Sequence, residues 1–206
     1  MSRRLRSWPP MTADALIEAL AARRGHFLLE SGHHGELWLD LDALFAQPAR
    51  VAPFVAELAE RLSGCAAEVV CGPLVGGAFV AQAVAAQLGI EAAWSERVAT
   101  PSGDGLYAAR YRVPDALRER LRDRSVAIVD DVINAGSATR ATLADLRACE
   151  AHPIALGALL VLGDAAAALA AAEGLALEHV ARLANALWEP ADCPLCAAGM
   201  ELEKPG

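Results

Sequence analysis

The chain has 206 residues, and 55% hydrophobic with 21% charged content is enough to bury a sizeable core, which excludes general disorder. Eighteen basic side chains against 26 acidic ones leave a formal charge of −8. That balance excludes bulk electrostatic binding of nucleic acid, so any anion site must be local. Seventeen of the 18 basic residues are arginine and Lys204 is the single lysine, so lysine chemistry cannot be central.

The first ten residues are basic but lack the apolar stretch of a secretory signal. Thr12 is placed to cap a helix over 12–24, with Ala15, Leu16, Ala19 and Leu20 on one face. Residues 27–29 and 37–39 read as short strands around the polar turn from Ser31 to Gly35. Pro48 opens a second amphipathic helix that ends near Leu62. Residues 69–90 carry no charge over a length that could span a bilayer. Gly72-Pro73, Gly76-Gly77, Gln82 and Gln87 within them predict instead a buried strand, a glycine loop and a helix over 77–88, with no membrane partner.

A strand is predicted at 90–94, then a polar segment over 95–124 that can form a hairpin or flap. Its last ten residues alternate acid and arginine, the pattern of a solvated helical face. The strongest strand is 126–129, followed by a loop and a helix over 138–149. A strand at 154–162, a helix at 165–173 and a closing strand at 177–182 complete the pattern. Short β-branched runs alternating with helices predict an α/β fold: a parallel sheet flanked by helices.

Chemistry concentrates between Ser125 and Arg140. A buried strand runs into adjacent carboxylates, Asp130 and Asp131, and a loop of small residues leads into a helix. Ligands of open α/β sheets dock at strand carboxyl ends. Adjacent carboxylates accept hydrogen bonds from a diol or hold a hydrated divalent cation. Ala135 and Gly136 let backbone N–H groups approach a phosphate, Ser137 and Thr139 add hydroxyls, and the helix start adds positive potential.

This window, Asp130-Asp131-Val-Ile-Asn134-Ala135-Gly136-Ser137-Ala138-Thr139, resembles the signature by which type I phosphoribosyltransferases bind 5-phosphoribosyl-1-diphosphate (PRPP). The version is most similar to that of orotate phosphoribosyltransferases. Residues 25–33 resemble that family's base-binding segment, 70–77 its pyrophosphate loop, and Ser95-Glu96-Arg97 the start of its catalytic flap. The C-terminal Cys193-Pro-Leu-Cys196 and Lys204-Pro-Gly resemble the tail of some bacterial and archaeal members.

The resemblance implies a single domain with a core over 48–182 and a small hood from 12–47 and 183–206. It implies transfer of 5-phosphoribose from PRPP to orotate in pyrimidine nucleotide synthesis, with Mg²⁺ as cofactor. Phosphoribosyl transfer to another base, or non-catalytic sensing of PRPP or a nucleotide, are the other readings. Asp130 and Asp131 would hold the ribose hydroxyls with Mg²⁺ nearby, and Asn134 would contact the base. Ala135, Gly136, Ser137, Ala138 and Thr139 would cradle the 5-phosphate. Leu74, Val75 and Gly76 would present backbone N–H groups to pyrophosphate. Arg97 would sit on the flap and reach pyrophosphate, in the family often across a homodimer interface, and with no lysine there Arg97, Arg110 and at most Arg112 would do the flap's work.

The chain departs from the family where flap lysines and a histidine give way to Val98, Pro101 and Gly103. An arginine expected after the next strand gives way to Leu162-Gly163-Asp164, and Glu30 stands where a lysine is usual. Two acids near an anionic base predict repulsion.

Cys65, Cys71 and Cys149 lie among apolar residues and read as small buried hydrophobes, so a reducing, cytoplasmic setting is expected. Cys193 and Cys196 have the spacing of a zinc knuckle, but one pair leaves zinc two ligands short. An unliganded turn, a redox pair and a site completed across a dimer are the other readings. His33 and His34 read as base or phosphate contacts or as a polar turn; His26, His152 and His179 read as structural.

Overall fold

A computed structural model describes residues 13–20, 22–29, 31–98 and 110–204. Thr12, Glu30, Pro101 and Gly103 lie outside them.

Helix α1 (Ala13–Ala19) stops well short of Arg24 because the following residues are claimed by a sheet. β1 (Arg23–Leu28) pairs antiparallel with β2 (His34–Trp38), and Asp40 N–H donates to the Leu20 carbonyl. After α2 (Leu41–Phe45), α3 (Pro48–Leu62) starts at its proline and presents Val51, Phe54, Val55, Leu58 and Leu62 to the core.

The central sheet has the order β5-β4-β3-β6-β7-β8. β3 (Val69–Pro73), β4 (Glu91–Val98), β6 (Ser125–Ile133), β7 (His152–Leu162) and β8 (Ala176–Leu183) are parallel; β5 (Arg110–Arg112) is antiparallel at one edge. Helices α4 (Gly76–Leu88), α5 (Asp115–Leu121), α6 (Ser137–Ala148) and α7 (Ala165–Glu173) connect the strands. The uncharged 69–90 segment is thus a strand, a turn and a 13-residue helix. Among the described residues no helix is long and apolar enough to cross a membrane.

Buried strands alternate which helical layer they serve. Val70, Ala127 and Val129 face α3 and α4, meeting Leu58, Leu62, Val80 and Val84. Val69, Cys71, Val126 and Ile128 face the other layer, meeting Leu143, Leu146 and Leu169. Burial pushes the Cys71 thiol up to about 12, so it is an inert core group.

The chain's ends form a second, three-stranded sheet, β1-β2-β9, where β9 is Leu187–Trp188. Beyond it a short helix, α8 (Pro194–Ala197), carries the chain back to β1, where Leu28 N–H donates to the Glu203 carbonyl and Glu203 N–H to the His26 carbonyl.

Candidate active site

The chain enters the sheet at β3, goes outward to β4, and then returns to lay β6 on the other side of β3. That reversal makes the gap beyond β3 and β6 the topological switch point, where open α/β sheets bind ligands. Pairing of β3 with β6 ends at Cys71↔Ile128, and past it the two chains diverge. A cavity of about 560 Å³ opens there.

Leu74, Val75, Gly76, Asp130, Asp131 and all six residues from Asn134 to Thr139 line this cavity. β6 is longer than expected and carries both acids inside the strand. Asp130 is buried; its Oδ1 accepts the Asp131 N–H at 3.0 Å, and Asp131 Oδ1 accepts the Val132 N–H at 2.7 Å. These bonds fix the carboxylates before any ligand arrives.

The β3–α4 turn is pressed against the acids. A Cβ on Gly76 would lie 1.9 Å from Asp131 Oδ2, and one on Gly77 would lie 2.7 Å from Asp130 Oδ1. The Leu74–Val75 peptide is cis. Leu74 N–H donates to the Ser95 carbonyl at 2.8 Å, so in this structure that donor is bonded within the protein. The first intrahelical donor of α4 is Phe79, bonded to Val75 O, which leaves the N–H groups of its opening residues outside the ladder.

Across the cavity, Gly136 sits at φ +74° at the start of α6, a conformation suited to glycine. No side chain caps α6, and Arg140 makes its first intrahelical bond to Gly136 O. Two helix N-termini therefore meet at one cavity beside two carboxylates. Among the described residues no basic side chain lines the wall. N–H groups and helix ends are therefore what the described wall itself offers an anion.

Other predicted residues fall elsewhere. Arg97 pairs across β4 and β5 with Tyr111, so the two side chains share a face of the hairpin. Arg110 and Arg112 alternate with Tyr111 and take the opposite face; Arg112 is paired with Asp115 at 2.6 Å. Neither Arg97 nor Arg110 lines the cavity, and both are exposed. Asn134 Oδ1 accepts a bond from Asn185 Nδ2 at 3.2 Å, which ties the signature loop to the tail. Asp164 is paired with Arg182 and does not line the cavity.

No sequence pattern marks Tyr111, which is buried and lines the cavity, or the Phe45–Phe79 ring pair at 5.6 Å, both of whose rings line it too. Ser31 also lines it, and its Oγ meets His33 Nδ1 at 3.1 Å, so His33 orients Ser31 and is not itself in the wall.

Residues 40–172 match the model of the phosphoribosyl transferase domain. An orotate phosphoribosyltransferase of Caldanaerobacter subterraneus subsp. tengcongensis is 31% identical over 183 residues, covering 89% of each chain. The chain belongs to the orotate phosphoribosyltransferase family. Its fold is that of the type I phosphoribosyltransferases. The crystal structure of an orotate phosphoribosyltransferase from Aeropyrum pernix superposes with a TM-score of 0.64 at 23% identity, covering 84% of this chain and 94% of that one. An adenine phosphoribosyltransferase from Thermoanaerobacter pseudethanolicus reaches 0.65 at 14% identity, covering 84% and 100%. The backbone is thus common to enzymes of different bases, and the family assignment to the orotate branch rests on sequence.

Proposed function

We propose that this chain transfers the 5-phosphoribosyl group of PRPP to orotate, giving orotidine 5′-phosphate and pyrophosphate. The reading is carried by one arrangement: two helix N-termini flanking Asp130 and Asp131 at the switch point of the sheet. The 5-phosphate belongs at the start of α6, from Ala135 to Thr139, and the ribose diol at the two carboxylates. Pyrophosphate belongs at the start of α4, where Val75 and Gly76 offer N–H groups. So held, the sugar has its C1 between the leaving group and the hood-side wall with Ser31, where the base would lie. The C1–O bond to pyrophosphate breaks as a ring nitrogen of the base forms the new bond to C1, and the proton of that nitrogen is released to solvent or to the departing pyrophosphate. The protein's part is alignment and neutralisation of departing charge. Arg97 shares the face of Tyr111 and is the arginine we assign to pyrophosphate; Arg110, on the opposite face, is a weaker candidate.

Among the described residues the two carboxylates have no histidine or cysteine beside them in the wall, an oxygen donor set suited to Mg²⁺, which keeps several of its own waters. Asp130 and Asp131 would hold it, and it would supply positive charge to the leaving pyrophosphate. Orotate as acceptor is supported by the relative at 31% identity. The reading takes the chain as one catalytic domain with a hood from both ends. A homodimer follows from the family resemblance, and a cytoplasmic setting from the five free thiols.

The test is calorimetry with PRPP and Mg²⁺, then orotate in the same sample with pyrophosphate monitored. Binding followed by release with orotate is the expected result. Release only with another base changes the acceptor, and binding without any release makes the chain a sensor. Asp131→Asn should weaken PRPP binding about 10- to 100-fold, the worth of one charged hydrogen bond, with the melting temperature kept. Unchanged PRPP affinity in that variant rejects the site.

A further inference from the structure

The tail and the hood meet at a group of side chains that the cavity does not use. His26 lies on β1, His34 opens β2, and Cys193 and Cys196 bracket the start of α8. Their ligand atoms, one per residue, all lie within 4.8 Å of one another. His26 Nε2 is 3.1 Å from His34 Nδ1, 3.4 Å from Cys193 Sγ and 3.7 Å from Cys196 Sγ. Cys196 Sγ is 3.3 Å from His34 Nδ1.

These four separations are close to four of the six edges of a coordination tetrahedron. With zinc–nitrogen bonds of about 2.0 Å and zinc–sulfur bonds of about 2.3 Å, ideal edges are roughly 3.3 Å between nitrogens and 3.6 Å between nitrogen and sulfur. His26 Nδ1 lies 3.0 Å from the Met200 carbonyl, an acceptor only, so the ring donates there and Nε2 of the neutral ring carries a lone pair. That lone pair faces another ring nitrogen and two sulfurs, a convergence of lone pairs that a cation satisfies. A backbone carbonyl holding the far nitrogen of a histidine is the usual outer support of a metal ligand. His26, Cys193 and His34 are buried, and Cys196 is at the surface, giving an ion a route in.

We propose that His26, His34, Cys193 and Cys196 bind one Zn²⁺, which fastens the C-terminal tail to the β1–β2 hairpin. Two imidazoles and two thiolates neutralise the ion, so the buried site carries no net charge. Binding breaks two S–H bonds, forms two Zn–S bonds and releases two protons to solvent. Four protein ligands leave no open position, so the ion is structural and takes no part in chemistry at the cavity. The site joins His26 to Cys193, 167 residues further on, and closing so long a loop is where a cross-link restrains the unfolded chain most. His26 sits at the centre of the cluster, within 3.7 Å of a ligand atom of each of the other three.

The test uses the full chain, expressed with zinc and kept reduced. Elemental analysis should find one zinc per chain. Exchange for Co²⁺ should give the visible bands of tetrahedral cobalt with thiolate-to-cobalt charge transfer in the near ultraviolet. Cys196→Ser, at the exposed ligand, and His26→Ala should each lose the zinc and the charge-transfer intensity, while Cys65→Ser keeps both. Should the variants fail to fold, chelation of the wild-type protein decides: its melting temperature should fall and recover when Zn²⁺ is returned. No zinc after expression and after titration of the reduced protein overturns the site. So do iron in zinc's place, a Cys193–Cys196 disulfide in freshly reduced protein, or full zinc retention in both variants.

Discussion

Two strand-to-helix turns wall the cavity, and each depends on glycine for a different reason. In the β3–α4 turn, Gly72, Gly76 and Gly77 all have ordinary negative φ and no room for a side chain. In the β6–α6 turn, Gly136 has φ +74° and open space around it, with the nearest atom 3.8 Å from where a Cβ would stand. The first turn uses glycine to bring backbone against the Asp130 and Asp131 carboxylates. The second uses it to turn the chain into α6. A glycine loop beside a phosphate site is therefore not one device. One of these turns sets where the acids are, and the other sets where a helix begins.

The largest difference should appear between Gly72→Ala and the rest. Its new Cβ would lie 2.0 Å from the Gly77 carbonyl oxygen, a backbone atom that cannot swing aside, so β3 and α4 must separate. A loss of about 3 kcal/mol or more is expected, lowering the melting temperature by roughly 10 °C in a chain of this size. Gly76→Ala meets a side-chain atom instead, Asp131 Oδ2, and Asp131 is tethered by its bond to Val132 N–H. It should cost PRPP affinity about 10- to 100-fold and less stability than Gly72→Ala. Equal effects on affinity and melting would show that the turn is merely packed, without setting the acids. Gly136→Ala comes next, with roughly 1–2 kcal/mol from the left-handed backbone and a melting shift of a few degrees. Calorimetric melting and PRPP titration on all three variants check the order.

The same contrast explains what could be read in advance. The β6–α6 loop is contiguous: strand, acids, small residues and helix follow one another, so its chemistry was visible, as were α3 at its proline and α7 up to the glycine at its end. β4 ran further than expected because its last residues gain a partner in β5, which a polar segment does not advertise. α1 ended early because β1 pairing overrode its apolar face. The use of Leu74 N–H by Ser95, the orientation of Arg97 against Arg110, and the entry of Tyr111 into the cavity all depend on which strands become neighbours. The histidine–cysteine cluster shows this most clearly. His26 and His34 sit beside apolar strands like any structural histidine, and only the return of the tail to β1 joins them to Cys193 and Cys196.

A third strand end tests whether nearness to the cavity in sequence is nearness in space. β7 stops at Leu162, which lines the cavity, and two residues later Asp164 stands where an arginine was expected. Its side chain is 92% exposed and paired with Arg182, so solvent and the guanidinium together screen its charge from an anionic base. Exposed pairs of this kind contribute about 1 kcal/mol or less, so Asp164→Asn should barely move the melting temperature. The KM for orotate should change by no more than about twofold, the scale of a screened charge outside the wall. A clear fall in KM on removing the acid would mean that its charge reaches the base, and that the end of β7 belongs to the site with the other two.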